Sequence, residues 1–286
     1  MTLHAALLLI LSIVLSSGRN LFSKSISTVQ SKTKTFYLLQ AVIFGSGFVP
    51  LIFAADISSV SVITIILAVI YGLLLISAQW NYTIALQHGN VGICATVYSL
   101  GFILPTLSGT IFWNEELSFL RGLGILTVIP AIILSGKSKG KGVGGNHYFL
   151  PLMMAMVSSG GLGIMQKVQQ RTSYASERSE FVLLSFLIAA VLSLTRSFLV
   201  KNQEEKRITK KQVSFAAATG VCFAVCNLLN TTLAGLLDSA VLFPLLNVGT
   251  ILFSLAMSVF MYGEKINRRT ACILALGIGA IVLISM

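Results

Sequence analysis

Charge is scarce in this 286-residue sequence: Asp, Glu, Lys and Arg make up 10% of it, and only nine residues are acidic. A soluble domain carries roughly 25% charged residues, so an ordinary solvated surface is excluded. Histidine is limited to His4, His88 and His147, and no His-Glu-x-x-His, Gly-x-Ser-x-Gly or acidic metal motif is present. Nucleophilic and metal chemistry therefore lack a constellation, and no enzyme, metal or cofactor is expected. The four cysteines, Cys94, Cys222, Cys226 and Cys272, form no Cys-x-x-Cys pair and fall inside apolar runs, where they read as small packing residues. A filter-like loop or ring of charges, which a channel would need, is also missing. The stretch "SGKSKGKGVGGNHY" lacks the Gly-x-x-x-x-Gly-Lys-Ser/Thr order of a phosphate loop and reads as a flexible linker.

What the sequence has instead is apolar length. Hydrophobic residues make up 55% of the chain, and the mean hydropathy is +0.89. Runs of about 20 residues, the length that crosses a hydrocarbon core, fall near 3–22, 36–54, 61–80, 91–113, 119–136, 149–166, 181–200, 213–233, 239–262 and 269–285. They lack an alternating period, and lipid leaves no backbone polar group unpaired, so ten transmembrane helices are expected rather than barrel strands. The first run has neither a basic leader nor a small-residue cleavage site and is expected to be retained.

Net charge is +11. Its distribution assigns it to topology rather than to nucleic acid. Counting connections from the N-terminus, the odd ones and their helix ends hold Arg19, Lys24, Lys32, Lys34, Lys137, Lys139, Lys141, Arg196, Lys201, Lys206, Arg207, Lys210, Lys211, Lys265, Arg268 and Arg269, which is 16 of the 20 basic residues. Only Arg121, Lys167, Arg171 and Arg178 remain for the even ones. The positive-inside rule then places the odd connections in the cytoplasm and both termini outside a cell (inner or plasma) membrane. Arg19 and Lys24 are expected to snorkel to the cytoplasmic interface.

The chain also repeats itself. "NEELSFLRGLGILTVIPAIILS" from Asn114 corresponds to "GEKINRRTACILALGIGAIVLIS" from Gly263, so that Glu115 matches Glu264, Asn81 matches Asn230 and Tyr98 matches Asn247. Ser16-Ser17-Gly18 returns as Ser158-Ser159-Gly160. Five helices duplicated end to end enter the membrane with opposite orientation, which gives an inverted repeat around a midplane site. The units are 1–136, a Gly/Lys-rich linker at 137–148, and 149–286.

Two five-helix repeats, each with a Glu after its fourth helix ("EELSFLRGLGI" and "EKINRRTACILALGIGAIVL"), resemble the EamA-type drug/metabolite transporter superfamily over essentially the whole chain. The resemblance implies an all-α small-molecule permease, often an exporter of amino acids or other metabolites. One departure is that many relatives carry the Glu-x-x-x-Arg-Arg pattern in the first repeat and have cytoplasmic termini, whereas "GEKINRR" stands in the second.

Polar side chains inside spans are costly and tend to face a cavity. The third span supplies Gln79, Trp80, Asn81 and Tyr82, the fourth Tyr98, the eighth Asn227 and Asn230, and the ninth Asn247. Together they predict a substrate site of neutral donors and acceptors that favours a zwitterionic or polar uncharged solute. No acidic residue falls near a midplane, which disfavours proton exchange through a buried Glu. The Ser-Ser-Gly segments predict flexible stretches whose hydroxyls return bonds to the backbone at a bend. Ala271, Ala275 and Gly279 have small-xxx-small spacing and predict a helix-contact seam, within the chain or in a homodimer. The expected partners are a small-molecule substrate and membrane lipid, with no nucleic acid. The alternatives are a multidrug or cationic-compound efflux carrier and a non-transporting membrane scaffold.

Overall fold

A computed structural model of the chain describes residues 3–29, 33–56, 60–89, 91–105, 107–108, 119–136, 146–200, 208–237, 239–263 and 266–285. These residues are helical and turn structure throughout: α1 (Leu3–Ile26), α2 (Lys34–Ile52), α3 (Val62–His88), α4 (Val91–Ser99, followed by a tight turn at Leu100–Phe102), α5 (Phe119–Gly136), α6 (Asn146–Arg171), α7 (Arg178–Leu199), α8 (Lys210–Leu236), α9 (Ser239–Tyr262) and α10 (Arg268–Ser285). Among the described residues, seven helices are long and apolar enough to cross a membrane; Val91–Pro105 and Thr270–Ala280 are shorter apolar helices. The protein is therefore a multi-pass membrane protein. Leu7, Ile10, Ile66, Leu73, Phe198 and Phe260 present their side chains outward, as lipid-facing positions do.

Local chemistry starts and stops the helices. Thr33 and Ser61 cap α2 and α3 by accepting from the backbone N–H groups of Phe36 and Thr64, and Thr209 with Gln212 forms a reciprocal capping box on α8. Gly263, at φ 61°, follows the end of α9 in the left-handed conformation that glycine adopts without steric cost.

The long pairings are α1 along α8, α3 along α6, and α2 along both α7 and α8; α3 also packs on α7, α1 on α9, α4 on α9 and α6, and α5 on α10. Water gives no drive for helix association inside lipid, so packing quality decides it. Phe44, Phe181, Phe186 and Phe223 fill the centre of the α2–α3–α7–α8 core, with the Phe186 and Phe223 ring centroids 5.5 Å apart. Where helices cross, glycine lets backbones touch. A Cβ on Gly220 of α8 would overlap the carbonyl oxygen of Ile43 and the hydroxyl of Ser46 on α2, and one on Gly160 of α6 would overlap the carbonyl oxygen of Gly101.

Several expectations change here. α1 and α6 run unbroken through Ser-Ser-Gly, and the serines bond to neighbouring helices instead of bending their own. Ser16 Oγ lies 2.8 Å from Cys226 Sγ, Ser17 Oγ donates to the Thr250 carbonyl and Ser158 Oγ donates to Ser77 Oγ at 2.7 Å. Lys24 does not snorkel. Its Nζ donates to the Leu86 and Gly89 carbonyls at 2.7 and 2.8 Å, closing the C-terminus of α3. The row Ala271, Ala275, Gly279 makes no tight contact among the described residues: the two alanines are exposed and a Cβ on Gly279 would meet nothing within 4 Å. The close approach of α10 is instead at Gly277, against Thr96 of α4. Glu115, Glu264 and the 137–145 part of the linker lie outside the described residues.

Candidate functional site

Polar residues recur along one face of α1 at Ser12, Ser16, Arg19, Asn20 and Ser23, a helical period that turns them all toward the bundle. That face looks into a cavity of about 100 Å³, room for a cluster of waters or a small solute. Its walls are Ser16, Arg19 and Asn20 from α1, Tyr98 and Ser99 from α4, Ser159, Gly163 and Gln166 from α6, Cys226, Asn227 and Asn230 from α8, and Asn247 and Thr250 from α9, with Phe102, Phe223, Phe243 and Leu246 between them.

Arg19 is the charged side chain among these lining residues, and it is only 4% exposed. Its Nε and Nη2 both donate to Gln79 Oε1, at 3.1 and 3.0 Å. Three rings flank the guanidinium, with centroids 4.2 Å (Phe223), 4.7 Å (Tyr98) and 5.1 Å (Tyr82) from Cζ. Cation–π attraction holds the plane in place without consuming hydrogen-bond donors in a directed way. Gln79 is itself fixed, its Nε2 donating to Ser23 Oγ and Thr83 Oγ1, each at 3.2 Å. The expectation of a neutral lining, with Arg19 at the interface, is thus corrected. Apolar run length placed the end of the first span at residue 22, but α1 continues to Ile26, so Arg19 sits about two turns inside. The polar period on α1 was the signal that could have found it.

A second polar group closes the cavity between α3, α6 and α8. Tyr71 Oη donates to Asn227 Oδ1 at 2.6 Å, and Gln166 Nε2 donates to Tyr71 Oη at 2.7 Å. Asn227 Nδ2 donates back to the Phe223 carbonyl. Tyr71 and Gln166 were not anticipated.

Of the residues expected to bind substrate, Tyr98, Asn227, Asn230 and Asn247 line the cavity. Asn230 Oδ1 accepts from Ser12 Oγ at 2.5 Å, and Asn247 Nδ2 donates to the Phe243 carbonyl at 2.7 Å. Gln79 and Tyr82 stand behind the lining, in contact with Arg19. Trp80 packs against Tyr37 with centroids 4.9 Å apart. Asn81 Nδ2 donates to the Ser77 carbonyl one turn back on its own helix. Only Asn230 of the repeat-related pair Asn81 and Asn230 is therefore among the lining residues. No group of His, Cys, Asp or Glu suited to a metal occurs among the described residues.

Comparison with known proteins gives three findings. Residues 148–286 match the EamA-like transporter family. Over 64 residues the chain is 34% identical to the probable 4-amino-4-deoxy-L-arabinose-phosphoundecaprenol flippase subunit ArnE of Sodalis glossinidius (strain morsitans), a match covering 22% of this chain and 58% of that protein. A solved crystal structure superposes with a TM-score of 0.68 across 98% of this chain and 95% of its own, at 19% identity, which is a likeness of fold.

Proposed function

Because residues 148–286 match the EamA-like transporter family, we propose that the chain is an EamA-type permease that moves a small polar, amino-acid-like solute by alternating access, bound in the cavity between α1, α4, α6, α8 and α9. The observation that carries this reading is the arrangement of the cavity walls. Four of them come in corresponding pairs, α1 with α6 and α4 with α9, as a site between two related halves requires, and α8 lines it without its counterpart α3. The packing partners support the same relation. Exchanging α1 with α6, α2 with α7, α3 with α8, α4 with α9 and α5 with α10 turns the α1–α8 pair into α6–α3 and the α2–α8 pair into α7–α3, and it leaves α2–α7, α4–α9 and α5–α10 unchanged. Ten spans in two inverted repeats, 1–136 and 149–286, fit that pattern, and the family match beginning at residue 148 supports the boundary.

Charge supports the orientation. With Arg19 and Lys167 assigned to the bundle interior, the odd connections and helix ends keep 15 (16 less one) basic residues and the even ones three (four less one). Odd connections then face the cytoplasm and both termini face outward. In that orientation Gln166, Asn230 and Phe243 lie toward the outer face, and the Arg19–Gln79–Tyr82 layer lies beneath them. Export is the direction proposed. A cysteine at Ser138, in a background where Cys222 and Cys272 are replaced, is expected to resist an impermeant maleimide in intact cells; prompt labelling would reverse the orientation.

Function is tested in proteoliposomes by counterflow of labelled amino acids and related polar metabolites. Asn230→Leu is expected to lower transport at least about tenfold, the effect of one lost hydrogen bond of about 1.4 kcal/mol at the solute, while folded yield changes far less. Parallel losses of transport and yield would make Asn230 a packing residue and remove it from the site.

A further inference from the structure

We infer that the transported solute carries an acid group, a carboxylate or a phosphomonoester, and that Arg19 receives it. The inference rests on the carrier reading above and adds the chemistry of the cargo.

Arg19 is buried in the bundle, and among the described residues its guanidinium bonds to no carboxylate. A guanidinium has five N–H donors in a fixed fork. Two of them meet Gln79 Oε1, a neutral acceptor, and the other three find no acceptor among the described residues. Glu177 and Glu180 are bound elsewhere, at the α2–α3 corner where Asp56 also lies: Glu177 Oε2 accepts from Ser61 N and Oγ, and Glu180 Oε1 accepts from Asp56 N at 2.6 Å. An intramembrane cation is costly and tends to pair or to mark a substrate path. Here no carboxylate among the described residues is bonded to the guanidinium, and Arg19 is one of the residues that line the cavity.

The surroundings also orient the charge. Phe223, Tyr98 and Tyr82 press on the guanidinium while Gln79 takes one edge of it, so the remaining edge is presented in a fixed direction. That is the geometry in which Arg recognises two oxygens of a carboxylate or phosphate together. The same cavity is lined by Asn230, Asn247 and Gln166, uncharged groups suited to the hydroxyl or amine end of the same solute. A solute with only a positive charge would meet Arg19 with repulsion, so the cationic-drug alternative loses support.

The test uses the purified full-length protein and melting temperature as readout. The probes are matched sets: L-serine, L-serinamide and ethanolamine; glycerol phosphate and glycerol. The acid members are expected to raise the melting temperature by roughly 5 °C at saturating concentration, and their uncharged or cationic counterparts are not. Serine against glycerol phosphate separates carboxylate from phosphate. Arg19→Gln is expected to weaken acid binding at least about thirtyfold, the scale for losing one partner of a buried charge pair. Gln79→Glu is an independent variant that separates loss of the binding charge from loss of the fold. It keeps the acceptor beside Arg19 and cancels the charge from within, and it is expected to abolish the acid-induced shift while the unliganded protein melts at or above the wild-type temperature. Equal shifts from uncharged members, or acid shifts that survive both variants, would overturn the inference and leave the carrier reading standing. Silence of wild type to every probe would count against both.

Discussion

Replacing Gly220 by alanine is expected to destabilise the protein by about 2–4 kcal/mol, although alanine is the better helix former by about 1 kcal/mol. The new Cβ would overlap the Ile43 carbonyl and the Ser46 hydroxyl, and Ser46 Oγ is already committed to the Ile43 and Ala217 carbonyls at 3.0 and 3.1 Å. Two backbones meet there, so no rotamer change relieves the contact and α2 must separate from α8. Melting temperature should fall by roughly 5–10 °C. Gly45 on α2 provides the control, because a Cβ there meets nothing within 4 Å. Gly45→Ala should be neutral or slightly stabilising, and a similar loss at both positions would show that glycine content rather than the crossing matters.

Gln79→Leu is expected to cost about 3–5 kcal/mol, because it removes the acceptor of two bonds from a buried guanidinium and strands the charge. Ser23 and Thr83 lose a donor by the same change. Detergent-solubilised Gln79→Leu should melt roughly 10 °C lower and aggregate on mild heating. A leucine variant as stable as wild type would mean that Arg19 reaches water or lipid headgroups by another path.

Apolar run length made the long helices legible because a bilayer demands it. It misjudged their ends because composition measures affinity for lipid, not for the bundle interior. Residues 23–25 of α1 read as polar, yet Ser23 bonds to Gln79 and Lys24 caps α3, so the helix continues to Ile26. The same reason extends α3 from the expected residue 80 to His88 and α6 from 166 to Arg171. In the cavity lining, Asn227 and Asn230 were readable because they stand three positions apart on one face of α8. Trp80 and Asn81 misled because a polar cluster on α3 gives no rotational phase: Gln79, Tyr82 and Thr83 turn into the bundle, and the two residues between them turn toward α2 and along their own helix. Arg19 was hidden by a reasonable rule, that a cation near the end of a run reaches the interface, applied to a run whose end was misplaced.

In the carrier proposed above, the bonds from Lys24 to Leu86 and Gly89 would act as a latch on one side of the bundle. They tie the end of α1 that carries Arg19 to the corner where α3 turns into α4. A tilt that opens the bundle on that side must part these bonds, but the ammonium released finds water at once, so the exchange costs little net free energy. The two states of access that the proposed mechanism requires would then lie close in energy while the latch sets how often one gives way to the other. Cargo bound at Arg19 on the same helix would act on that frequency directly.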